Sequence, residues 1–262
     1  MNKFSFFLIT IIGVLVTSCI PTKDLIYLQN KNNSEQPQVV NPINAKPYRV
    51  QVNDVLSVSV KTVDPKLSQL FSITNEAMVN KSDLGLYYDG FTIDDHGNIR
   101  IPLLGEMNVL GFTTDEIRKS IEDKLLKEYF NKEANLFVNV KLAGFRYTIN
   151  GEITAPGTRT LFQDKVNIME AIANSGDITV TGNRKEVTII RQFPQGTEMK
   201  IIDLTDINAM QSPYYFLQPN DYIYIKPLKQ KTWGTGKTGI ESLSSIITIL
   251  SLVTTTFLLL KK

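Results

Sequence analysis

Cysteine, histidine and tryptophan each occur once in the 262 residues of this chain. With no second thiol there is no disulfide, so the folded part is held by its core alone. A lone His96 and a lone Cys19 leave no partner for a His/Cys metal set or a Cys–His nucleophilic pair. His96 sits in Asp95-His96-Gly97, which reads as a solvated turn. Asp94 and Asp95 are adjacent, so on a strand they would face opposite ways and make a poor acid/base pair for glycoside cleavage. Net charge is also scarce: 28 basic against 26 acidic residues leave +2, with no charged block, and give no reason to expect nucleic acid. The run Gly234-Thr235-Gly236-Lys237-Thr238-Gly239 lacks the spacing of a phosphate loop and reads as a flexible joint. These absences argue against an enzyme and imply no metal or cofactor. What remains, 42% hydrophobic and 21% charged, is ordinary for a globular protein.

The N-terminus begins with Lys3, runs through apolar Phe4 to Val16 and ends in Thr17-Ser18-Cys19. A basic start, an apolar stretch too short to span and small residues before a cut make a secretory signal over residues 1–18. The Val-Thr-Ser-Cys ending resembles a bacterial lipoprotein box, which implies cleavage before Cys19 and acylation of that thiol. The competing reading is an uncleaved anchor with an incidental cysteine. Residues 19–46, rich in Asn, Gln and Pro, read as a tether, although Leu25-Ile26-Tyr27-Leu28 is apolar enough to dock locally.

At the other end, residues 240–260 form an apolar stretch closed by Lys261-Lys262. As a helix it is roughly 30 Å long, enough to cross a bilayer core. Glu241, Ser244, Ser245, Thr248, Ser251 and Thr255 recur every three to four residues and share one face. Such a stripe suits a ring of helices around water. It equally suits a plain anchor whose hydroxyls bond a carbonyl one turn back. Residues 229–239 form a linker, with Trp233 placed as an interfacial anchor.

Between the two ends the pattern is α+β. Val55 to Val60 alternates, with Leu56, Val58 and Val60 on one face of a strand preceded by the turn residues Asn53-Asp54. Phe91-Thr92-Ile93 and Asn98 to Ile101 read as two strands joined through Asp94 to Gly97. Thr113 with Glu116 is a capping box, followed by the stripe Ile117, Ile121, Leu125. Residues 135–142 alternate again. A second unit begins near Phe145, with a strand over 147–153, a Pro156-Gly157 turn, a short helix capped by Asn167 and Glu170, and strands over 186–191, 199–203 and 221–226. Strands wrapped round one short helix predict a β-grasp arrangement.

Two stretches carry a family resemblance. Tyr48 to Val58, and Asp95 through Thr113 with its Pro-Leu-Leu-Gly step, resemble the bacterial polysaccharide biosynthesis/export family. Residues 150–157, 169–176 and 217–225 resemble the soluble-ligand-binding β-grasp (SLBB) domain that accompanies it. Both Gly-Asp turns of the family stand here as Asn53-Asp54 and Asn220-Asp221. The resemblance implies a polysaccharide export domain over 47–143 with an insertion near 64–90, an SLBB β-grasp domain over 144–228, and a C-terminal transmembrane helix. It implies an outer-membrane lipoprotein, its bulk in the periplasm, that assembles into a homo-oligomeric ring, octameric by resemblance. The ring passes capsular polysaccharide or exopolysaccharide outward, its C-terminal helices line the pore, and its partner is an inner-membrane polysaccharide co-polymerase or tyrosine kinase. A different class also fits the residues: a non-channel envelope lipoprotein whose β-grasp domain binds glycan or a protein partner.

Overall fold

A computed structural model describes residues 20–31, 47–62, 90–129, 135–193, 195–229 and 231, and within the C-terminal segment residues 244, 247–252, 254–255 and 259. Strand β1 (Val55–Lys61) lies between β2 (Phe91–Thr92) and β5 (Phe137–Leu142), antiparallel to both. Alternation along β1 buries Leu56 and Val60 while Val58 stays half-buried. Helix α1 (Thr114–Glu128) starts where the capping box placed it. Thr113 accepts from the Glu116 amide, and the Glu116 carboxylate accepts from the Thr113 amide. Ile117, Ile121 and Leu125 are wholly buried. At roughly 1.5–3 kcal/mol for each buried large aliphatic side chain, that stripe outweighs the helix's intrinsic propensity. It packs with β1, β5 and the hairpin into the first of two apolar clusters.

The two strands expected on either side of Asp94 to Gly97 are present, but they do not pair with each other. Residues Asn98–Ile101 (β3) pair with Gly105–Asn108 (β4), and β2 joins the edge of β1 instead. The Asp94 to Gly97 segment does turn: the Asp94 carboxylate accepts from the His96 and Asn98 amides. It turns between sheets, however, because the tight Pro102 to Gly105 reversal, with Leu103 at φ 67° and Gly105 at φ 73°, folds β3 onto β4 directly.

The second unit is a mixed five-stranded sheet in the order β7-β6-β10-β8-β9, built from β6 (Phe145–Gly151), β7 (Gly157–Leu161), β8 (Gly182–Phe193), β9 (Gly196–Ile202) and β10 (Tyr222–Pro227). Only β6 and β10 run parallel. One face is covered by α2 (Ile168–Asn174), capped reciprocally by Asn167 and Glu170. Its buried side chains Ile168, Ala171 and Ile172 join Tyr147, Ile149, Ile189, Ile223 and others in the second apolar cluster. The Tyr147 hydroxyl donates to the Ala171 carbonyl at 3.0 Å, so even this deep aromatic leaves no polar atom unmet. Gly151 is required where β6 meets β10: at φ 93°, a Cβ there would lie 2.1 Å from the Ile225 carbonyl oxygen.

The segment after Cys19 is docked, not free, over its described part. The Leu28 and Gln29 amides donate to the Leu204 and Thr205 carbonyls, and Ile207 donates back to Gln29. Tyr27 donates to Asp177 and lies under the Arg184 guanidinium at 5.1 Å. Lys185 pairs with Asp24 at 2.6 Å. The chain past β10 returns to the same place: Leu228 donates to Thr181, and Lys231 pairs with Glu152, which accepts from Thr179 and Thr181.

Among the described residues no helix is long and apolar enough to cross a membrane. The span expected over 240–260 lies largely outside the described residues, as do the signal segment, Cys19 and all of the 64–90 insertion but Gly90.

Candidate functional site

Of the residues singled out from the sequence, Cys19, Glu241 and Ser245 lie outside the described residues. Ser244, Thr248, Ser251 and Thr255 are helical and exposed. Their hydroxyl chemistry is partly internal: Thr248 donates to the Ser244 carbonyl at 2.8 Å and Thr255 to the Ser251 carbonyl at 2.7 Å. Each bond spans one helical turn, which is how such side chains are accommodated in apolar surroundings.

What the fold does bring together lies elsewhere, at the junction of the two units. Two turns of the same construction meet there. In Gln51-Val52-Asn53-Asp54, Asn53 takes φ 69°, the Asp54 amide donates to the Gln51 carbonyl, and the Asp54 carboxylate accepts from the Gln51 amide. In Gln218-Pro219-Asn220-Asp221, Asn220 takes φ 68° and Asp221 makes the same two bonds to Gln218. Asparagine fills the left-handed position at less cost than other residues with a Cβ, so the Asn-for-Gly departure leaves both turns intact. The turns are bonded to each other: the Asn220 amide donates to Asp54 at 3.1 Å.

Each aspartate is buried, and each is held differently. Asp54 accepts from the Tyr48 hydroxyl at 2.6 Å, as well as from Gln51 and Asn220. Burial pushes its carboxyl up, and the three donors pull it back. The same burial, with the Asp54 charge beside it, raises the Tyr48 phenol far above its ordinary value. Asp221 is gripped by both arms of Arg191, Nε to Oδ1 at 2.9 Å and Nη2 to Oδ2 at 2.7 Å. Burial raises Asp221 too, with the guanidinium opposing. Arg191 stacks over Tyr214 at 4.7 Å and also donates to the Phe216 carbonyl.

Between the units only Ala143 and Gly144 separate β5 from β6. Beside this link opens a cleft of about 410 Å3. Its floor is the exposed face of β6 and β7, where Arg146 stands opposite Thr160 and Thr148 opposite Thr158. Its walls are the Asn53–Val55 turn, the Leu142–Gly144 link and the Pro219-Asn220 turn. Gly144 lets the link lie flat on β7: a Cβ there would sit 2.5 Å from the Thr160 methyl. Arg146, Thr158 and Thr160 were not singled out from the sequence. The signal was present in the alternation Thr158-Arg159-Thr160, but its meaning depends on which strand lies alongside. Among the described residues no group of three or more His, Cys, Asp or Glu is arranged to hold a metal ion.

Residues 43–141 match the model of the family described as polysaccharide biosynthesis/export protein. Two curated relatives share the name EPS I polysaccharide export outer membrane protein EpsA. The one from Ralstonia nicotianae is 26% identical over 164 residues, 60% of this chain and 42% of that protein. The one from Ralstonia solanacearum is 25% identical over 151 residues, 56% of this chain and 40% of that protein. The chain therefore spans about two fifths of the length of these relatives. Fold and site define a mixed α/β protein with few helices, built as two units around a polar junction. Through residues 43–141 the chain is similar to the polysaccharide biosynthesis/export family.

Proposed function

We propose that this chain is a subunit of an outer-membrane channel that exports capsular polysaccharide or exopolysaccharide. The observation that carries the reading is the family match over residues 43–141, on the unit that holds α1 and the three-stranded sheet. Support comes from the second unit, whose five-stranded mixed sheet around one capped helix is the arrangement expected of a β-grasp domain. In this reading Cys19 is acylated, the two units stand in the periplasm as a ring, and residues 240–260 cross the membrane with Glu241, Ser244, Ser245, Thr248, Ser251 and Thr255 facing a lumen. Helices packed about 9–10 Å apart place eight axes on a circle about 25 Å across, leaving roughly 15 Å of lumen once a helix diameter of about 10 Å is removed. An extended sugar chain fits that width, and four helices leave almost none. An inner-membrane co-polymerase or tyrosine kinase would deliver the polymer.

One observation favours a second reading. The back-bonded hydroxyls of Thr248 and Thr255 need no water, as suits a plain anchor on a non-channel lipoprotein. Single cysteines at Thr248 and Ser251 separate the two. In membranes they react with a water-soluble thiol reagent if they line a lumen, while cysteines at Ile249 and Leu252 stay protected. Equal labelling of both sets, or a monomeric particle in mild detergent, refutes the channel. Export itself is tested by deletion: surface polysaccharide disappears and returns with the full chain.

A further inference from the structure

We propose that the cleft between the two units binds a carboxylate-bearing sugar, a uronic acid residue of the polysaccharide. The inference rests on the export reading for the nature of the ligand, and on the geometry of the cleft for its charge.

The lining combines three kinds of group that a sugar acid needs. Arg146, exposed on the floor, makes no side-chain hydrogen bond or ion pair among the described residues. Only its backbone is engaged, its carbonyl accepting from the Asn220 amide at 2.6 Å. A guanidinium with five donors and no protein acceptor is matched by a planar carboxylate, which it takes with two parallel bonds. The Asn53 amide and the Thr160 hydroxyl likewise have no side-chain partner among the described residues, and both face the cleft. Amide and hydroxyl groups donate and accept, as sugar hydroxyls do. Val55, Leu142 and Pro219 supply apolar wall for the carbon face of a pyranose ring.

The one carboxylate in the lining, Asp54, does not compete for Arg146. Its oxygens are already engaged by Tyr48, Gln51 and Asn220. Asp221, the next acid along, is closed within the Arg191 pair and has a side chain with no exposure. The cationic floor is therefore left for a ligand. At about 410 Å3 the cleft falls within the roughly 300–1,000 Å3 of small-molecule sites. Because the walls come from both units, a bound sugar bridges them.

Isothermal titration of the full-length chain in detergent with trigalacturonate, and with neutral maltotriose at the same length, tests the site. Trigalacturonate is expected to bind, to weaken with added salt, and to lose about tenfold in affinity in Arg146→Gln, with maltotriose no tighter than that variant. Asn53→Gly, which keeps the turn and removes the amide, weakens trigalacturonate by a smaller factor. A melting curve of Arg146→Gln that overlays the wild type shows that the loss is of contact and not of fold. Equal binding of trigalacturonate by wild type and Arg146→Gln, or equal binding of the two sugars, overturns the site and leaves the export reading standing. A deletion strain whose surface polysaccharide is unchanged overturns the export reading instead, whatever the titration shows.

Discussion

Replacing Arg191 by Met is expected to cost the second unit about 3–5 kcal/mol, the range for removing one partner of a buried ion pair. The structure sets that magnitude. Asp221 has a side chain with no exposure and Arg191 only 7%, so no water replaces the guanidinium when it is lost. Two charge-assisted bonds disappear, the Phe216 carbonyl loses a donor, and the carboxylate keeps only its Gln218 amide. Against a total of about 5–15 kcal/mol for a typical domain, this approaches global unfolding. The penalty has a pH signature. Burial already raises Asp221, and removing Arg191 takes away the largest opposing influence. A carboxyl whose folded pKa lies above its unfolded value stabilises the fold when protonated, and that contribution is lost as pH rises through the folded value. The variant is therefore less impaired near pH 5 than at pH 8. Adding Asp221→Asn to Arg191→Met neutralises the stranded charge and is expected to recover about 2 kcal/mol. Hydrogen exchange of the β8 and β10 amides in the full-length chain reads the local free energy. A loss under about 1 kcal/mol at pH 8, or one that does not change between pH 8 and pH 5, refutes the reasoning.

Three further outcomes follow from the same structure. Thr113→Ala removes one half of the α1 capping box and should cost about 1 kcal/mol, read as a lower urea midpoint, whereas Thr113→Ser should be close to neutral. Tyr214, pushed up to about 12 by burial and by the Glu198 carboxylate, and Tyr27 and Tyr48, raised further still, hold their protons in the folded chain at pH values where unfolded tyrosine ionises. Their contribution is whole below about pH 10 and falls as pH climbs above it, so the urea midpoint should drop between pH 9.5 and 11.5, and less steeply in Tyr48→Phe. Tyr27→Ala should release the N-terminal strap, so that the Leu28 and Gln29 amides exchange faster while those of β10 do not; unchanged exchange at Leu28 would show that the strap is held without it.

The parts of the fold legible from sequence were those that local chemistry decides. Both helix starts were, since Thr113 with Glu116 and Asn167 with Glu170 satisfy their own termini whatever packs around them. Alternation in β1 and β5 predicted the buried faces for the same reason. Pairing was less legible. Phe91-Thr92 and Asn98–Ile101 are neighbours along the chain, yet one joins β1 and the other β4, because partner choice is settled by distant strands and by the Pro102 to Gly105 reversal. Arg146, Thr158 and Thr160 become a floor only once β6 and β7 are paired, and the matching turns at Asn53 and Asn220 become a junction only once the units meet. The family motifs in Tyr48 to Val58 and Asp95 to Thr113 were legible as motifs, and their segment is the one the family model matches. The hydroxyl stripe was legible as a helical period, but a single chain carries no neighbouring helix to face.

The docking of residues 20–31 has a consequence for the order of events in synthesis. Lys31 pairs with Asp203 across 172 residues of sequence, and the carbonyls that hold Leu28 and Gln29 belong to Leu204 and Thr205. A chain that emerges N-terminus first exposes its strap long before its berth exists. Loop closure over that distance must be met before the contact returns anything, so the strap is among the last pieces to settle. Until Thr205 has emerged and β8 and β9 have paired, Tyr27 to Gln29 have nothing to dock on. Once they have, Leu28 and Gln29 are pinned by the final third of the chain, while Pro21 to Lys23 remain exposed.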